Sequence, residues 1–136
     1  MLLKKQTKRM TIYSNFVAIY FNFYYFCTVK RFEVEYLPGA IKFLKSIEIK
    51  AAQKLLFNIS KSQEINDPRI FKKLKNSNIW EFRAGYKSNE YRLFAFWDKQ
   101  HSSIVICTHG ITKKMQKTPK KEIDKAEQLR KKYLEL

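Results

Sequence analysis

The chain has 136 residues, a formal net charge of +16 from 28 Lys and Arg against 12 Asp and Glu, and a hydrophobic fraction of 45%. That length suits one folding unit, and so large an apolar fraction excludes a disordered basic tail. A charge of this size points to an anionic partner, whether nucleic acid, an anionic membrane surface or an acidic protein. With two cysteines, Cys27 and Cys107, and no C-x-x-C, neither a disulfide framework nor a zinc site is expected.

Residues 1–27 begin with Lys4, Lys5, Lys8 and Arg9, continue as an aromatic run from Ile12 to Phe26, and contain no acid. Basic-then-apolar order is that of a signal peptide. Against it, Asn22 interrupts the run, no small-x-small cleavage site follows, and Phe16–Phe26 is too short to span a bilayer. The other readings are an extra ordered element, since Tyr, Phe, Val and Ile favour strands, or an extension upstream of the folding unit. We divide the chain into a basic, aromatic extension over 1–28 and a domain over 29–136. Twelve of the sixteen net positive charges belong to the domain.

The alternation over Lys30–Glu35, with Phe32 and Val34 on one face, predicts a half-buried strand. Pro38 suits the first turn of a helix. Ile41, Leu44 and Ile47, then Ala51, Ala52, Leu55, Leu56 and Ile59, recur at helical spacing and predict two helices joined near Ser46–Lys50. Asn66-Asp67-Pro68 is a turn, and Lys72, Lys73 and Lys75 cluster after it. Ile79–Ala84 reads as a strand with Trp80 and Phe82 on one face and Glu81 and Arg83 on the other. Gly85–Asn89 is a loop of hairpin length. Tyr91–Trp97 is apolar on both faces apart from Arg92, as in the middle of a covered sheet. Ser103–Thr108 is the next strand, with Cys107 as a core residue. Thr118-Pro119 is an N-cap followed by the first helical position, and Ile123, Ala126, Leu129 and Tyr133 form the stripe of a last helix.

Four pieces recur in order: Leu74-Lys75, Ile79-Trp80-Glu81-Phe82-Arg83, Glu90-Tyr91-Arg92, and His109-Gly110-Ile111-Thr112-Lys113-Lys114 with Lys117-Thr118-Pro119. In this order and spacing, over roughly 29–134, the chain resembles the RelE/ParE superfamily of type II toxins, closest to the phage-derived, HigB-like branch. The resemblance implies an α+β, RelE-like fold: a small antiparallel sheet of about four strands, packed by an N-terminal helical hairpin and a C-terminal helix. It implies a cytoplasmic mRNA interferase that cuts mRNA in the ribosomal A site, without metal or other cofactor and without stable membrane association. It also implies neutralisation by a cognate helix-turn-helix antitoxin.

Such cleavage uses the RNA's own 2′-hydroxyl, so the protein must take a proton, stabilise the phosphorane and protonate the leaving oxygen. Arg92 is the first candidate for the phosphorane: it is the one charge in an apolar strand, Arg grips phosphate bidentately, and it matches the superfamily's catalytic strand arginine. A structural pairing with Glu81 or Glu90 is the competing reading. Arg83 is second, with an ion pair to Glu81 as its rival. Lys113 and Lys114 stand where the superfamily places another catalytic cation. His109 is a possible acid or base. Lys75 and Lys117 are candidates for phosphate contact or proton transfer, and Trp80 and Tyr86 for stacking on unpaired bases, with core packing as the competing reading for Trp80. The lysine pair that better-known relatives carry on the first sheet strand is replaced here, at Ile79 and Glu81. A gyrase poison of the ParE kind, or a nucleic-acid-binding module without activity, would share much of this pattern.

Overall fold

The computed structural model describes residues 30–101, 103–114 and 117–135. The extension over 1–28 lies outside the described residues. The domain runs β1 (Glu33–Tyr36), α1 (Pro38–Ser46), α2 (Ile49–Glu64), β2 (Phe71–Lys73), β3 (Trp80–Tyr86), β4 (Asn89–Trp97), β5 (Ile104–Lys113) and α3 (Lys120–Leu134). It is the α+β architecture the sequence implied. The sheet, in the order β1-β5-β4-β3-β2, has one strand more than expected and is mixed: β1 lies parallel to β5, and every other pair is antiparallel.

Each face of the sheet is covered by helix, which is why β4 is apolar on both sides. Phe32, Phe82, Leu93, Val105 and Cys107 pack with Ala40 of α1 and Ala51, Leu55 and Ile59 of α2. On the opposite face Ile79, Phe94, Phe96 and Ile106 meet Ala126, Ile123 and Tyr133 of α3. Cys107 is fully buried, and burial pushes its thiol pKa upward. Among the described residues no helix is long and apolar enough to cross a membrane.

Several local expectations change. The first strand starts at Glu33, with Phe32 buried ahead of it. Ile41 and Leu56 are exposed, and Ala40 and Phe43 replace Ile41 in the buried stripe. The lysines before the sheet belong in part to β2, a three-residue edge strand anchored by Phe71, whose ring stacks on Phe82 at 4.2 Å. The β3–β4 loop shrinks to a two-residue turn, Lys87-Ser88, in which both residues have positive φ. Most consequentially, β5 runs five residues past Thr108 to Lys113. Gly110 does not end it; a Cβ there would overlap the ring of Phe43, so the glycine lets α1 press directly onto the strand. The last helix begins one residue late, with Pro119 as its N-cap and no side-chain cap bond. Thr118 is therefore not the cap.

Candidate active site

Strand register decides which charges meet. Arg83 lies directly opposite Arg92, Glu81 opposite Phe94, and Glu90 opposite both Gly85 and Lys113. Residues two apart on a strand share a face, so Glu81, Arg83, Arg92, Glu90 and Lys113 all rise from the face that carries α3, at the β3–β4 hairpin end. Two arginines opposite one another repel, and Glu81 is the counter-charge between them. Its Oε1 lies 3.5 Å from Arg83 Nε and 3.7 Å from Arg92 Nε. Its Oε2 accepts a hydrogen bond from the Thr118 hydroxyl at 3.0 Å, and that hydroxyl in turn accepts one from Lys113 Nζ at 3.3 Å.

Burial is steep across the cluster. Glu81 and Arg92 are each 2% exposed and Lys113 8%, while the Arg83 side chain is 26% exposed. Arg92 is also bound from the outside: its Nη1 lies 3.1 Å from Glu90 Oε2, a half-exposed carboxylate. Both pairings weighed from sequence, to Glu81 and to Glu90, are thus present together. Burial, followed by the repulsion of Arg92, pulls the Lys113 ammonium below the ordinary lysine range, against the pull of Glu81 and Glu90. Arg92 is lowered by burial as well, yet a guanidinium stays charged in any accessible pH range.

His109 has another place. Thr108 and His109 together stand opposite Phe94, a β-bulge in β5. The bulge turns the imidazole towards α3, where Nε2 lies 2.8 Å from Glu122 Oε2 and Nδ1 3.1 Å from Thr108 Oγ1, with the ring 4.9 Å from that of Phe94. Burial is the largest influence on it and lowers its pKa, outweighing Glu122, so the ring is neutral at pH 7. With both nitrogens engaged, His109 ties α3 to the sheet and stands apart from the cation cluster.

Of the other candidates, Lys75, Lys114 and Lys117 are exposed, Lys75 in the β2–β3 turn and the other two beyond the end of β5. Trp80 and Tyr86 do not join the site: both pack on the face of α1 and α2, Trp80 with its ring 4.9 Å from Phe71 and 6.0 Å from Trp97. The alternation that puts Glu81 into the cluster turns Trp80 away from it. Sequence reasoning assigned no role of its own to Glu81 and none to Thr118. An acid alone among apolar and basic residues on a central strand was the available signal for Glu81. Nothing in the sequence marked Thr118 as other than a cap.

The chain matches the family described as phage-derived protein Gp49-like over residues 42–131. No curated protein matches it. Among solved structures it is similar to a chain of the RelBE2 toxin–antitoxin complex from Mycobacterium tuberculosis, at 17% identity, covering 62% of this chain and all of that one, with a TM-score of 0.49.

Proposed function

Because the chain belongs to the phage-derived Gp49-like family, we propose that it is the toxin of a type II toxin–antitoxin system. Its activity is that of a ribosome-dependent mRNA endoribonuclease, held silent by a cognate antitoxin of helix-turn-helix type. The observation that carries this reading is the meeting of Arg83, Arg92 and Lys113 on one sheet face around Glu81. Three cations at one point are suited to a phosphodiester whose negative charge grows in the transition state. A non-catalytic nucleic-acid surface needs spread, exposed cations, not buried ones held at a single point.

The reaction proceeds by attack of the RNA 2′-oxygen on the neighbouring phosphorus, its hydroxyl proton passing to solvent water. A P–O bond forms, the P–O5′ bond breaks, and the products end in a 2′,3′-cyclic phosphate and a 5′-hydroxyl. A phosphate oxygen takes the place of Glu90 on Arg92 Nη1, and Arg83 closes on the other side. Lys113, made more acidic by burial and by its arginine neighbour, donates the proton to the leaving 5′-oxygen. The exposed Lys75, Lys114 and Lys117 hold the flanking backbone.

Expression of the chain alone tests the reading. Growth arrest accompanied by shortened mRNA, relieved by the antitoxin, supports it. Arrest with intact mRNA and failing DNA supercoiling would instead identify a gyrase poison.

A further inference from the structure

The cluster contains a carboxylate that the proposed chemistry does not use. Glu81 is buried, and both its oxygens already face partners within the cluster. Oε1 sits between two arginine Nε atoms, at 3.5 and 3.7 Å, without forming a hydrogen bond to either; both N–H groups are buried and have no acceptor. Leaving a buried donor unsatisfied is costly, so this arrangement is poor as a stabilising device. It serves instead to share one negative charge between two guanidinium groups that stand directly opposite each other. Oε2 is committed to Thr118, which frees its hydroxyl oxygen to receive Lys113.

We propose that Glu81 is the positioning residue of this site: its buried carboxylate gathers Arg83, Arg92 and, through the Thr118 hydroxyl, Lys113 into one cluster, and sets the charge state in which Lys113 meets RNA. This rests on the ribonuclease reading for its purpose, though not for its test. Among the groups facing Lys113 are Arg92 and Glu90 from β4, Glu81 and Arg83 from β3, and Thr118 from the segment before α3. Arg92 and Arg83 disfavour the charged form of Lys113, and Glu81 and Glu90 favour it. Neutralising Glu81 tips the balance towards repulsion and favours the uncharged amine.

The experiment is an NMR titration of the lysine side-chain amines in the full chain, with the Lys113 signal assigned from a Lys113→Met variant. Glu81→Gln keeps the shape and an acceptor for Thr118 and removes only the charge. The Lys113 midpoint is expected to fall by about one pH unit relative to the unsubstituted chain. The limb of the cleavage pH profile that Lys113 controls is expected to move to lower pH by the same amount. A merely structural role would lower the melting temperature and leave the midpoint where it was, and an unchanged midpoint overturns the proposal. Should Glu81→Gln not fold, Glu81→Asp, which keeps the charge but draws it back from Thr118, is expected to give a smaller fall; no fall there overturns it equally. If the unsubstituted chain cuts no RNA, the ribonuclease reading fails, and the titration still decides the role of Glu81.

Discussion

Arg92→Ala separates the two tasks assigned to one side chain. Arg92 and Glu81 are equally buried, with Nε and Oε1 3.7 Å apart. Removing one partner of a buried pair costs about 3–5 kcal/mol, because the other charge is left behind. Glu81 keeps Arg83 and Thr118, so the lower end, about 3 kcal/mol, is expected. For a domain of this size that lowers the melting temperature by roughly 15 °C. The loss of a phosphorane donor is separate and lowers the cleavage rate by about 10²–10³. A double variant, Arg92→Met with Glu81→Gln, removes both charges and recovers part of the stability while recovering none of the activity. Thermal denaturation followed by circular dichroism reads the first effect. Cleavage of ribosome-bound mRNA, measured below the melting range of each variant, reads the second. The reasoning is refuted by a folded Arg92→Ala protein that cuts at the unsubstituted rate, or by a double variant no more stable than the single one.

Gly110→Ala forces a methyl into the Phe43 ring and is expected to destabilise by about 1–3 kcal/mol, read as a lower urea midpoint. His109 has a folded pKa below its unfolded value, with burial as the main cause. Its contribution is therefore complete above an unfolded value of about 6.5 and is lost as pH falls below that. Stability should decline on acidification through this window, and the slope should be shallower in His109→Gln, as pH-dependent denaturation will show. Glu90→Gln removes the outer carboxylate paired with Arg92; the KM for cleavage should fall, and the Lys113-controlled limb of the pH profile should move to lower pH because Glu90 also favours charged Lys113.

Strand alternation was the part of the sequence that carried most. Trp80-Glu81-Phe82-Arg83 told both faces of β3 correctly, and the apolar run around Arg92 placed β4 at the centre of the sheet. From these two strands the meeting of Arg83 and Arg92 was within reach. Lengths were harder. The sequence reads as strand only to Thr108, because glycine weakens an ordinary strand and nothing in the sequence shows that Gly110 admits Phe43. That hid the fact that Lys113 is a buried strand residue and not part of a turn. Phe71-Lys72-Lys73 is too short and too basic to signal a strand without its partner β3. Thr118 illustrates a competition the sequence could not resolve: a Thr-Pro pair satisfies the local rules for starting a helix, and a tertiary contact with Glu81 prevailed. Trp80 takes its core reading, held by ring contacts with Phe71 and Trp97, and Tyr86 is partly buried against the same core.

The central claim is that the cations gathered around Glu81 cut RNA. It is tested most directly by mapping the 5′ ends of a defined mRNA on programmed ribosomes after adding the purified protein. New 5′ ends at the A-site codon, bearing a free hydroxyl and absent with Arg92→Ala, are the predicted result. An mRNA that stays whole while translation halts would contradict the account.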